Sequence, residues 1–142
     1  MEVSPASLLV LLLASVVVGD IDITDCDSFF EVIDSCRGDK PLTDTVIECH
    51  PRQPNKMTLE CGCAWRCIMR TYGWITEEGR ADVEQNAVFY RRCGSDYTPE
   101  KEEMFRRLLT DCEKNSVYEI GCEKSGDVLQ CIARQSNVTL FS

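Results

Sequence analysis

Apolar and cysteine positions along the chain recur at intervals of three and four residues, in stretches separated by glycine, proline and charged residues, with no convincing strand alternation. The strongest stretch is Glu60-Cys61-Gly62-Cys63-Ala64-Trp65-Arg66-Cys67-Ile68, which together with Leu59, Met69 and Tyr72 reads as one helix. Thr58 is placed to cap its start, and Gly73 to end it in a left-handed conformation. Cys63 and Cys67 stand at i and i+4, so both thiols leave the same face. Each can reach a different neighbouring segment. The pattern predicts a hub helix to which distant parts of the chain are covalently tied.

The other elements follow from the same periodicity. Asp25 to Arg37 carries Cys26, Phe29, Phe30, Ile33 and Cys36 at helical spacing and stops at Gly38. Pro41 can open a short second helix with Leu42, Thr45, Val46 and Cys49 on or near one face. Two prolines make His50-Pro51-Arg52-Gln53-Pro54-Asn55-Lys56 a loop. Beyond the hub, Thr76-Glu77-Glu78 reads as a helix start that runs through Val83, Ala87 and Tyr90 towards Cys93-Gly94. Thr98-Pro99-Glu100 is the clearest start in the chain: a capping residue, proline at the first helical position, then an acid. Behind it Met104, Phe105, Leu108, Leu109 and Cys112 share a face, while Glu102, Glu103, Arg106 and Arg107 look away. A last helix covers part of Cys122 to Arg134. The predicted fold is all-α, with about six helices and short loops.

Cysteine content changes the picture most. Ten cysteines in 142 residues read as a disulfide framework in an oxidising compartment. Leu8 to Val18 is an apolar run too short to span a bilayer, followed by Gly19 and Asp20. It reads as a signal-peptide core with cleavage after Gly19, although Glu2 and the lack of Lys or Arg depart from the usual basic start. The expectation is a leader at 1–19 and a single secreted domain at 20–142. A chain of that size buries a core but gains from staples. The formal charge is −9 and the sequence pI about 4.6. Such a surface repels phosphate backbones and anionic headgroups, so neither nucleic acid nor the membrane surface is an expected partner. No later stretch is apolar enough to insert in a membrane.

Cys63-x3-Cys67, Cys122-x8-Cys131, Cys112 ten positions before Cys122, and Cys36 upstream form an ordered set of six. Their gaps resemble the six-cysteine signature of the insect odorant-binding proteins (the pheromone and general odorant-binding family). The text from Cys63 through Gly73 to Gly79 is similar to that family's third helix and following turn. The resemblance covers the mature chain from Cys36 onward. It implies Cys36–Cys67, Cys63–Cys122 and Cys112–Cys131 pairing, and a helical cage around an apolar pocket. Cys26, Cys49, Cys61 and Cys93 fall outside the set, which is similar to the extra-cysteine (Plus-C-like) branch. Here, however, Ile132 rather than proline follows the sixth cysteine. Antiparallel pairing of the first two helices predicts Cys26–Cys49, and a turn at Gly73–Thr76 predicts Cys61–Cys93. Four cysteines allow three connectivities, so spacing leaves this open.

Candidates to line a pocket are Phe29, Ile33, Val46, Trp65, Met69, Tyr72, Trp74, Val88, Phe89, Met104, Phe105, Leu108, Leu129, Ile132 and Phe141. Taken singly, each is more often plain core. Tyr72, Tyr90 and Tyr118 are possible donors to a ligand's polar end. The resemblance implies a secreted carrier of small hydrophobic molecules such as odorants or pheromones, with a membrane chemoreceptor as a possible further partner. The carrier would be a monomer or a homodimer. A scavenger of biogenic amines or lipid mediators is the rival on the same fold, and an amine binder would need a buried acid from among Asp34, Asp44 and Glu48. A protein-interaction effector with a filled core is the other. Cys61, Cys63 and Cys67 with His50 lack zinc-site spacing, so no metal and no other cofactor is expected. His50, the sole histidine, has no nucleophile pattern beside it, so no enzyme is expected either. Asn137-Val138-Thr139 is a glycosylation sequon. It competes with a tail in which Leu140 and Phe141 tuck into the pocket.

Overall fold

The computed structural model describes residues 21–135, so the leader, Asn137 and Phe141 lie outside the described residues. Within that range the chain forms six α-helices: α1 Phe29–Cys36, α2 Leu42–Glu48, α3 Leu59–Tyr72, α4 Val83–Cys93, α5 Pro99–Asn115 and α6 Gly121–Gln135. Among the described residues the only extended pairing is an isolated bridge between Ile75 and Ala81.

The caps of α3 and α5 form as the sequence predicts. The Thr58 hydroxyl accepts from the Cys61 N–H at 3.2 Å, and Gly73 closes the helix at φ 75°. Thr98 accepts from the Lys101 N–H at 3.1 Å, with Pro99 opening α5. Two starts differ. The first helix begins at Phe29 rather than Asp25, because Asp25 draws the chain into a turn: its carboxylate accepts from Asp27 N–H and its carbonyl from Ser28 N–H. The fourth begins at Val83, with Asp82 accepting from Gln85 N–H. The start signal at Thr76 is used up in a turn: its carbonyl accepts from Gly79 N–H at 2.9 Å and its hydroxyl from Arg80 N–H at 3.3 Å.

Helix α3 is the axis of the molecule, packing along α6 on one side and against α1 on the other. The α3–α6 crossing is close because both helices present glycine there. A Cβ on Gly62 would collide with the Cys122 carbonyl, and one on Gly126 would come within 3.3 Å of the Gly62 Cα. Only glycine allows this approach. Around the axis α2 leans on α1, α5 on α4, and α6 on α5. On the outer face Arg106 of α5 bonds Glu84 of α4 at 2.8 Å and Glu102 at 3.2 Å, and Arg91 of α4 reaches Glu102 at 2.7 Å.

All ten cysteines are bonded: Cys26–Cys93, Cys36–Cys67, Cys49–Cys61, Cys63–Cys122 and Cys112–Cys131. The last two and Cys36–Cys67 are the pairs that the six-cysteine resemblance implies. The other two correct the geometric expectation of Cys26–Cys49 and Cys61–Cys93. Cys26 precedes α1 instead of riding on it, so it turns away from α2 to the end of α4. Cys49 closes α2, and the eight-residue reversal before Thr58 brings it back onto the first turn of α3, beside Cys61. Three of the five bridges therefore end on α3.

The buried apolar residues fall into two groups. One gathers Val32, Ile33, Cys49, Trp65, Ile68, Met69, Tyr72 and Trp74 around the α1–α3 contact. The other gathers Tyr90, Phe105, Leu109, Cys112, Val128 and Ile132 between α4, α5 and α6.

Candidate functional site

Packing is incomplete where α1, α2 and α3 meet. A hollow of about 250 Å³ lies there, lined by Phe29, Phe30 and Ile33 of α1, Thr45 and Val46 of α2, Cys49, His50 and Pro51 of the loop, and Ala64, Trp65 and Ile68 of α3. The reason is local. Helix α2 has seven residues and buries only Thr45, while its Ile47 points outward and is 67% exposed. So short a helix covers its neighbours without filling the space between them.

Two disulfides cross-link the frame around the hollow. Cys36–Cys67 fixes α1 to α3, and Cys49–Cys61 fixes the end of α2 to the start of α3. The Trp65 indole N–H donates to the buried Cys49 carbonyl at 2.7 Å, holding the largest ring of the lining in place. The Thr45 hydroxyl is turned into its own helix, donating to the Pro41 carbonyl at 3.0 Å. No Asp, Glu, Lys or Arg lines the hollow. What remains is an apolar cleft with one imidazole at its rim, suited to taking an uncharged apolar molecule out of water.

A wall of rings closes the inner side. Phe29 lies 5.9 Å from Trp65 and 6.4 Å from Tyr72, centroid to centroid. Tyr72 stacks on Trp74 at 4.7 Å, and Phe89 meets both edge-on. The Tyr72 hydroxyl is bonded to Ser28 at 2.9 Å, and burial pushes this phenol above its ordinary pKa. Beyond the wall Met69, Trp74, Phe89, Phe105, Leu129 and Ile132 surround a void of only about 10 Å³. That is room for one water at most, in a setting with little to bond it.

Fourteen of the fifteen lining candidates, all but Phe141, thus separate. Phe29, Ile33, Val46 and Trp65 line the hollow. Met69, Trp74, Phe89, Phe105, Leu129 and Ile132 enclose the small void instead, and Tyr72 stands in the wall between. Leu108 packs, partly buried, against the α4–α5–α6 core, and Val88, also partly buried, lines neither space. Met104 is a correction: its side chain is 58% exposed, on the outward side of α5. The periodicity of that helix is satisfied by Phe105, Leu109 and Cys112, with Leu108 partly buried beside them. Sequence reasoning missed Phe30, Thr45, Cys49, His50, Pro51, Ala64 and Ile68. Ala64 and Ile68 carried a signal, standing at i and i+4 beside Trp65. His50 and Pro51 carried none, because a loop residue reveals what it faces only once the chain has turned back.

The tyrosine hydroxyls have other duties. Tyr90 donates to Asp96 at 3.3 Å, and Tyr118 accepts from Lys56 at 2.6 Å beside α6. Lys56 and Tyr118 belong to a second hollow of about 250 Å³ between α3 and α6, shared with Glu123, Asp127 and Gln130. Its charged groups make it a poor host for an apolar guest. The acids that an amine binder would use lie outside: Asp34 pairs with Arg37 and Glu48 with Lys40, each at 2.6 Å, and Asp44 is exposed. Among the described residues no group of three or more His, Cys, Asp or Glu is placed to hold a metal, and every cysteine is in a disulfide. No helix there is long and apolar enough to cross a membrane.

Comparison with known proteins agrees with this architecture. The family model described as PBP/GOBP family matches residues 22–135. No curated protein and no solved structure matches the chain.

Proposed function

Because the chain belongs to the PBP/GOBP family, a family of small odorant- and pheromone-binding carriers, we propose that it carries an uncharged hydrophobic molecule in the α1–α2–α3 hollow. The protein is released to the outside after removal of a leader at 1–19, a reading supported by the apolar Leu8–Val18 run and by ten cysteines all in disulfides. It solubilises its ligand by burial and makes no covalent bond to it.

One observation carries the reading. Among the described residues a cross-linked apolar cleft of about 250 Å³ stays open, while the space beyond the ring wall has shrunk to about 10 Å³. That volume suits a guest of roughly ten heavy atoms. At about 0.7 kcal/mol per atom, within the range open to small ligands, such a guest binds with a Kd near 10 µM.

The test is displacement of N-phenyl-1-naphthylamine from the oxidised, ligand-stripped protein. Ketones, esters or alcohols of medium chain length displace it at micromolar concentration, and serotonin and histamine do not. Val46→Trp, which fills the hollow, weakens dye uptake tenfold or more. Dye uptake that ignores Val46→Trp would place the ligand elsewhere, and failure of both the dye and the roughly ten-heavy-atom nonan-2-one to bind would end the carrier reading.

A further inference from the structure

The hollow has one polar group whose state the surrounding hydrogen bonds decide. His50 follows Cys49, whose carbonyl is held by Trp65 and whose sulfur is bonded to Cys61. The next three residues turn back: Gln53 N–H donates to the His50 carbonyl at 3.1 Å, with Pro51 buried at the corner. Inside this turn the Arg52 backbone N–H donates to His50 Nδ1 at 3.1 Å. A backbone N–H has only a proton to offer, so Nδ1 is the acceptor and the neutral ring carries its hydrogen on Nε2. The turn is anchored in its turn to α6, where Arg52 Nε donates to the Ala133 carbonyl at 3.1 Å. Among the described residues Nε2–H has no hydrogen-bond partner, and His50 is one of the residues that line the hollow.

We propose that His50 Nε2–H is the polar selector of this site: it donates to a ligand oxygen and sets a preference for uncharged molecules carrying a carbonyl, ester or hydroxyl group over plain hydrocarbons. The proposal rests on the carrier reading and names the ligand class within it. The imidazole suits this role because its tautomer and orientation are fixed before a ligand arrives, so little ordering cost falls on binding. Thr45 cannot serve, since its hydroxyl proton is donated to the Pro41 carbonyl, and the Cys49 carbonyl, an acceptor from Trp65, has no proton to offer. An ammonium group would meet a donor where it needs an acceptor.

The experiment compares nonan-2-one with 2-methylnon-1-ene, which replaces the carbonyl oxygen by a methylene of similar shape. The variant is His50→Asn, whose side-chain oxygen can still accept from Arg52 N–H and keep the turn while losing the Nε2 donor. We expect the wild type to prefer the ketone, and His50→Asn to weaken the ketone about five- to tenfold, one net hydrogen bond, with the alkene within about twofold. A reading on the unmutated protein stands beside it. With one histidine in the chain, the imidazole Nε2–H resonance is assigned without ambiguity, and it moves downfield with the ketone and not with the alkene. Equal response of the imidazole to both ligands, or equal loss of both in His50→Asn, or loss of neither, overturns the selector and leaves the carrier intact. Binding of neither ligand by the wild type overturns both.

Discussion

The α1–α2–α3 end and the α4–α5–α6 end of this molecule are built from the same kinds of side chain, yet one holds a hollow of about 250 Å³ and the other is packed solid. The difference lies in helix length and in what each helix brings inward. Helices α5 and α6 are 17 and 15 residues long and deliver Phe105, Leu109, Val128 and Ile132 to a common centre, where Tyr90 of α4 completes the filling. Tyr90, Tyr97 and Phe105 meet edge-on at 5.3 to 5.4 Å, as rings in a dense core do. Helix α2 brings almost nothing inward, and its place is kept by sulfur. Packing fills the α4–α5–α6 end around its one internal bridge, Cys112–Cys131, whereas Cys36–Cys67 and Cys49–Cys61 hold the less filled end in place. A protein can leave space unfilled where disulfides supply the stability that contacts would otherwise have to provide.

Three substitutions test that contrast, from the largest expected effect down. Phe105→Ala opens the solid end and costs about 3–5 kcal/mol in denaturant unfolding. Dye affinity in the α1–α2–α3 hollow stays within about twofold, because the ring wall of Tyr72, Trp74 and Phe89 stands between the two spaces. A second dye site appearing in that variant would show that the wall is no barrier. Replacing Cys49 and Cys61 together by serine removes a bridge across 12 positions, worth about 3 kcal/mol in the chain-entropy picture. The same change also loosens Cys49 and with it Trp65, so here affinity falls together with stability. Retained affinity in that double variant would mean that packing alone keeps the hollow in shape.

The smallest effect is at Glu102. Hydrogen bonds from Arg91, then Arg106 and Tyr97, hold its carboxyl below the ordinary glutamate range against the opposing effect of burial. A carboxyl lowered in the folded state adds stability that is fully present above the unfolded titration range and is lost as pH falls through the lowered value. Glu102→Gln therefore lowers the thermal midpoint modestly at about pH 7, and the gap from wild type closes as the pH falls below the ordinary glutamate range and through the lowered value. Because the pair network ties α4 to α5 on the outer surface, ligand affinity does not change with it. A gap that persists in acid would assign the effect to packing instead of charge.

Much of α3 and α5 was legible because their signals are local. Thr58, Gly73, Thr98 and Pro99 set helix boundaries through bonds made within a few residues, and sequence shows those bonds directly. Asp25 and Thr76 misled because the same residue types cap helices and close turns, and the choice between the two depends on neighbours farther off. Cys26 went to Cys93 across 67 positions once the turn at Asp25 had placed it off the helix, a consequence no spacing rule contains. Within the site, Phe29, Ile33, Val46 and Trp65 could be read from helical faces. The partition between open and closed space could not, since it depends on how many side chains converge on one point. His50 was visible as the sole histidine, but its role depends on a backbone N–H two residues away.

The five bridges overlap so that each connection between successive helices, from Gly38 to Ile120, lies inside at least one covalent ring. A protease that severs any single one of those connections releases no fragment. The nicked chain stays whole until a reductant reaches it, so its lifetime among proteases depends on sulfur chemistry as well as on the intactness of its backbone.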